Sequence, residues 1–254
     1  QQGNLNAFDA NYWAQVVHPK NSTILLSFAF ITLGHNENLM QLVAFLSYWA
    51  LIIGVYGIAG RVGLDRTQRA FSALLAALLI TPLVYANTTQ NDLTIAAYVA
   101  ASVYFLFIFR DTKAWKYLAF AALGVGLALG TKASTLIVLP SLGLLVLFLT
   151  RTDNVKAWIG RVALFAGLTG VAMLAFALPS GYMENYRLFG NPFGNEDVSR
   201  MHTFSDRQIS SVLQGGAYNL LRYGVDVVSL DGLPPNSAVT QIQRTLHIPP
   251  KRLL

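Results

Sequence analysis

The chain has 254 residues, of which 54% are hydrophobic and only 12% charged, and its mean hydropathy is +0.47. A soluble domain carries about 25% charged residues, so this composition excludes an ordinary soluble globular protein and points to a membrane protein. The absence of cysteine excludes disulfides, iron–sulfur clusters and thiolate zinc sites, and the net charge of +6 is distributed as membrane orientation requires, not as a nucleic-acid surface would be.

In chain order, residues 1–20 are polar and aromatic, with Asp9, Tyr12, Trp13, His18, Pro19 and Lys20. Ile24 to Leu33 is apolar but too short to span, because a hydrocarbon core of ~30 Å needs about 20 helical residues. Asn21–Gly34 therefore reads as a juxtamembrane helix. Six candidate spans follow: Asn38–Gly60, Ala70–Asn91, Leu93–Phe109, Tyr117–Thr131, Ala133–Thr150 and Val162–Met183. The expected fold is all-α, a polytopic membrane helix bundle of about six transmembrane helices. Residues 1–37 form an external loop with the short helix, 38–183 the bundle, and 184–254 an external tail. Within that tail, Gln208–Tyr223 has helical apolar spacing. The chain opens Gln1-Gln2-Gly3 without Met, and a piece of a longer protein is expected.

The connections alternate in charge. Arg61, Arg66 and Arg69 lie in one, Arg110, Lys113 and Lys116 in a second, and Arg151, Lys156 and Arg161 in a third. The intervening connections hold almost no basic residue; Thr88–Asp92 has none and Gly130–Ala133 has only Lys132. The positive-inside rule makes the three basic loops cytoplasmic. Asp92, Lys132, residues 1–37 and the tail are then external, in a bacterial inner or plasma membrane.

Three isolated charges on that side carry the functional reading. Asp92 follows the polar step Thr88-Thr89-Gln90-Asn91 between two apolar runs. As the residue before Leu93-Thr94-Ile95 it could cap a helix, and the cap and a role in a site are compatible. Lys132 follows an uncharged run of 15 residues, about 22 Å of helix, so it is expected below the outer surface. Snorkelling to the interface and binding a lipid phosphate both account for such a lysine. His18 and Lys20 put an imidazole and an ammonium beside the short helix, as interface anchors or as phosphate ligands. Asp92, Lys20 and Lys132 are expected to converge on one outward-facing pocket. No Walker loop, dinucleotide fingerprint, HExxH or GxSxG motif is present.

The order of segments resembles a known family. An external polar loop and a short helix after a Pro-Lys step lead to a span ending Ala59-Gly60-Arg61-Val62-Gly63-Leu64-Asp65-Arg66. Then come Pro82, Thr88-Thr89-Gln90-Asn91-Asp92, and Gly126-Leu127-Ala128-Leu129-Gly130-Thr131-Lys132. Over most of residues 1–200 this is similar to the GT-C superfamily of membrane glycosyltransferases. The nearest likeness is to bacterial family-39-like enzymes, related to protein O-mannosyltransferases and lipid A aminoarabinose transferases.

The resemblance implies transfer of a sugar from a polyprenyl-phosphate-linked donor to an acceptor hydroxyl on the outer side of the membrane. It implies that Asp92 matches the second external acid of the family, a catalytic position, and that Lys132 and Lys20 match basic positions near the lipid phosphate. His18 and Asn91 adjoin them as substrate-binding candidates. The principal catalytic acid of the family lies in the first external loop, after a first span, and this chain is expected to begin beyond it. A divalent cation at the phosphate is an expected cofactor, although Pro19 stands where relatives carry a glutamate ligand. The expected partners are the lipid-linked donor and the bilayer, with no nucleic acid. A non-catalytic scaffold subunit and a transporter or flippase of lipid-linked substrates remain as alternatives.

Overall fold

A computed structural model of the chain describes residues 17–196, residue 210 and residues 214–218. The described residues form an all-α membrane bundle with no strand. Three segments are long and apolar enough to cross a membrane by length and composition: Glu37–Arg61, Asp92–Thr112 and Val155–Ser180. The other expected spans are shorter or broken.

The short helix α1 covers Asn21–Thr32, close to the juxtamembrane segment expected. A single turn at Glu37–Leu39 leads into α2, Leu42–Arg61. The expected span Ala70–Asn91 is instead two helices, α3 (Arg66–Leu78) and α4 (Ile80–Tyr85), separated at Leu79, which is extended. Pro82 explains the break. It has no N–H to donate to the Leu78 carbonyl, and its ring clashes with that carbonyl in a continuous helix. In the first turn of α4 the missing donor is harmless.

α3 also begins four residues before the expected Ala70, because Asp65 caps it. The Asp65 carboxylate accepts from the Gln68 N–H at 2.9 Å, and the Gln68 side chain accepts from the Asp65 N–H at 3.0 Å. α5 runs over Asp92–Thr112, with an acid in its first turn and Arg110 in its last, both favourable to the helix dipole.

α6, Trp115–Leu129, is only 15 residues long, yet it is the centre of the bundle. Leu118, Ala121 and Ala128 are completely buried. A helix surrounded by protein need not reach across the hydrocarbon by itself. The expected span over Ala133–Thr150 opens with a tight turn at Ala133–Ile137, and α7 occupies Leu139–Leu149. α8 covers Val155–Ala172 and continues through a wide π turn at Met173–Ala177 and a tight turn at Leu178–Ser180. α9, Tyr182–Phe189, ends at Gly190 in the left-handed conformation.

The main core joins Leu106, Phe107 and Phe109 of α5 to Leu118, Val125 and Leu129 of α6 and Leu142, Val146 and Leu149 of α7. Small residues let the backbones approach, since packing rather than hydrophobic exclusion drives helix association in lipid. The Cβ of a residue replacing Gly126 would lie 2.7 Å from the Ala172 Cβ. Gly54 and Gly57 of α2 likewise face Ala100 and Tyr104 of α5. The perimeter carries large exposed apolar side chains, among them Phe28, Ile53, Phe71, Phe148 and Val171, as a lipid-facing surface requires.

All three basic connections meet at one end. Arg61 pairs with Asp111 at 3.1 Å, Arg110 donates to the Arg61 carbonyl at 2.7 Å, and the Arg161 guanidinium lies 5.9 Å from the Phe109 ring. In the tail, residues 210 and 214–218 are helical and exposed, and the rest of the expected Gln208–Tyr223 helix lies outside the described residues, as do Asp9, Tyr12 and Trp13.

Candidate active site

At the opposite end from the arginines, the chain folds three separate segments around the turn Gly130-Thr131-Lys132. α6 ends at Leu129, and the Thr131 hydroxyl turns back to the Leu127 carbonyl at 2.8 Å. The backbone at Lys132 is extended, φ −160° and ψ 135°, which directs its side chain away from the α6 axis. The Lys132 Nζ donates to the Asp92 Oδ1 at 2.8 Å. Asn91, next in chain, donates from its side-chain amide to the Thr131 carbonyl at 3.3 Å. The Thr88–Asp92 step and the Gly130–Lys132 step are therefore stitched together by side chain and backbone.

Asp92 is the first residue of α5, not its cap. Asn91 occupies the cap position and makes no side-chain capping bond. The capping alternative gives way to an ion pair because the carboxylate is held by Lys132 from across the turn. The pair remains partly open, with 38% of the Asp92 side chain and 35% of the Lys132 side chain exposed. A polar ligand can reach both groups.

The 17–21 segment packs on the other side of the same turn. The Asn21 N–H donates to the Gly130 carbonyl at 3.0 Å and the Lys20 N–H to the Ser180 carbonyl at 2.7 Å. Gly130 is glycine for a steric reason, since a Cβ there would lie 2.5 Å from the Phe176 carbonyl oxygen and collide with the Asn21 amide. His18 and Lys132 line one small cavity of about 50 Å³ with Pro19, Ser134, Tyr182 and Phe193.

Lys20 does not join Asp92 in the way expected. Its Nζ pairs with Glu184 of α9 at 2.7 Å, with 11% of the lysine and 29% of the glutamate side chain exposed. Two ion pairs therefore flank the turn in place of one cluster of three charges. The second is secured by Asn185, whose amide donates to the Val17 carbonyl at 2.8 Å and the Pro192 carbonyl at 3.1 Å. Tyr182 completes the support. Its buried hydroxyl donates to the Leu129 carbonyl at 2.9 Å, and desolvation pushes its phenol up to about 12, so it remains a donor over the whole physiological range.

Glu184, Asn185 and Tyr182 were not among the residues singled out from sequence. Glu184 carries a usable signal, as an acid four residues beyond Ser180 at the end of the last apolar run. Among the described residues no group of three His, Asp or Glu side chains gathers as metal ligands, and Asp92 and Glu184 each face a lysine, so these two carboxylates do not form a divalent-cation site between them.

The fold and these pairs define a membrane-embedded helical protein with a charged, solvent-accessible turn at one end of its bundle. The chain belongs to the dolichyl-phosphate-mannose-protein mannosyltransferase family, whose sequence profile matches residues 18–181. It is thus a membrane glycosyltransferase of the mannosyltransferase type. No curated protein and no solved structure matches the chain significantly. The matched region begins at His18 and ends at Gly181, so it contains His18, Lys20, Asp92 and Lys132 and stops just before Tyr182 and Glu184.

Proposed function

We propose that the protein transfers a sugar from a polyprenyl-phosphate-linked donor to an acceptor hydroxyl at the outer face of a bacterial membrane. The observation that carries this reading is the Asp92–Lys132 pair, partly exposed at the end of the bundle away from the basic connections, inside a region matched to a family named for a polyprenyl-phosphate sugar.

The chemistry follows from the charges. Breaking the bond between the sugar and the lipid phosphate leaves negative charge on the phosphate oxygens, and fixed cations placed there lower the barrier. Lys132 supplies positive charge on one side of the turn, with the His18 imidazole as a hydrogen-bonding group across the small cavity, and Lys20 supplies it on the other. Asp92 orients Lys132 through their ion pair in the resting site. It also offers a carboxylate at the reacting end, the type of group that accepts a proton from an acceptor hydroxyl. Tyr182 and the Asn21–Gly130 contact hold the turn rigid, so that these groups need no reorganisation when the donor arrives.

A steady-state assay with a polyprenyl-phosphate-mannose donor in proteoliposomes tests the phosphate role. Lys132→Gln should raise the donor KM by about tenfold, the effect of losing one charge-assisted contact. A donor KM unchanged in that variant would remove Lys132 from the phosphate site. Movement of donor across the bilayer without sugar transfer would favour the flippase reading.

A further inference from the structure

A large groove lies towards the other end of the bundle, away from the turn at Lys132. It holds about 720 Å³ between α2 and α5 and ends against Arg61 and Arg69. A second groove of about 670 Å³ shares Ala50, Ala97 and Ala101 with it and continues towards α1. Its walls are apolar, and it opens sideways beside Ile53, which is 66% exposed on the lipid-facing surface.

The charges at its closed end are unbalanced. Asp111 is shared between Arg61 at 3.1 Å and Arg110 at 2.9 Å. Asp65, the nearest acid in sequence to Arg69, is engaged in capping α3. Arg69 is half-buried, with its guanidinium against Gly60 and its Nε donating to the Leu64 carbonyl at 2.7 Å. Among the described residues no carboxylate pairs with it. A half-buried guanidinium facing an apolar groove is costly unless an anion compensates it.

We infer that this groove binds a membrane phospholipid with an anionic headgroup, its acyl chain along α2 and α5 and its phosphate at Arg69 and Arg61. The groove opens beside the exposed Ile53, and its charged end, at Arg61 and Arg69, lies at the level of the basic connections, where headgroups sit. A guanidinium matches a phosphate with two parallel N–H donors. The site is separate from the proposed transfer site and does not depend on it.

The test uses the complete protein in bilayers of equal phosphatidylglycerol and phosphatidylcholine, extracted in mild detergent, with retained lipids counted by native mass spectrometry. Phosphatidylglycerol should be enriched about fivefold, the effect of one arginine near an anionic lipid. Arg69→Gln should bring the ratio close to one, whereas Lys113→Gln, an exposed lysine at the same end, should leave it unchanged. Ala50→Phe, which fills the groove from its exposed wall, should lower retention of both lipids. No enrichment in the unaltered protein would overturn the inference. So would an equal loss in Lys113→Gln, or undiminished retention in Ala50→Phe.

Discussion

Replacement of Gly126 by alanine is the sharpest perturbation of the bundle. A Cβ at position 126 would sit 2.7 Å from the Ala172 Cβ and 2.8 Å from the Ala172 carbonyl carbon and oxygen. Carbon atoms are most stable at about 3.5–4.0 Å, so α6 and α8 must part locally by roughly 0.8 Å. The obstacle is backbone, which cannot swing aside as a long side chain does. Overpacking of this kind costs typically 1–3 kcal/mol. Against it stands the intrinsic gain of up to ~1 kcal/mol when alanine replaces glycine within a helix. Gly167 on α8 supplies the control, because a Cβ there meets nothing within 4 Å. Gly167→Ala should raise the midpoint of thermal unfolding in detergent, and Gly126→Ala should lower it. In soluble domains of this size a kilocalorie per mole corresponds to about 2–4 °C, so the two variants should separate by several degrees. If Gly126→Ala proved as stable as Gly167→Ala, the close approach of α6 and α8 would be wrong.

Other outcomes follow from the same geometry. Glu184→Gln removes the Lys20–Glu184 ion pair and should destabilise by about 3 kcal/mol, reduced in proportion to the glutamate's partial exposure; unfolding in detergent at neutral pH reads it, and no change would show the pair to be slack. Tyr182 has a folded-state value of about 12 against an ordinary 10, so the folded chain holds that proton more tightly. Its contribution should be complete below pH 10 and be lost as pH rises from 10 to 12, and Tyr182→Phe should show a flatter alkaline fall than the unaltered protein. Because the chain has no native cysteine, single cysteines at the exposed positions Thr89 and Lys113 report orientation cleanly. A membrane-impermeant thiol reagent on intact cells should label position 89 and spare position 113, and the reverse pattern would invert the topology.

The parts of the fold legible in sequence were those where charge is scarce. Asp92 and Lys132 stand out because each is alone in a long apolar context, and the alternation of basic and non-basic connections puts both at one end. Their contact at 2.8 Å bears out the meeting of those two residues. The same pattern could not tell which partner Lys20 prefers. Its partner is Glu184, just beyond the last apolar run, brought back by α9 folding over the 17–20 segment. Long-range return of the chain leaves no local signature.

Uncharged length was also a weak guide to spans. The run from Ala70 to Asn91 is uncharged throughout, yet Pro82 breaks it at Leu79. Conversely, the basic residues Lys156 and Arg161 lie inside α8 rather than in the loop before it, since long cationic side chains reach the interface from within a helix. Gly54, Gly57 and Gly60 recur every three residues along α2, a spacing visible without the structure, whereas the Gly126–Ala172 approach depends on the partner helix.

The most direct measurement is the rate of sugar transfer by Asp92→Asn in the complete gene product, assayed with a polyprenyl-phosphate-linked donor and a hydroxyl acceptor. Asparagine preserves the size of the side chain at the first position of α5, where Asp92 makes no capping bond, and removes only the charge that meets Lys132. With the unfolding midpoint close to that of the unaltered protein, transfer should fall by at least about a hundredfold, the scale of losing a catalytic carboxylate. Full transfer activity in Asp92→Asn would contradict the assignment of the Asp92–Lys132 pair as the working centre of this glycosyltransferase.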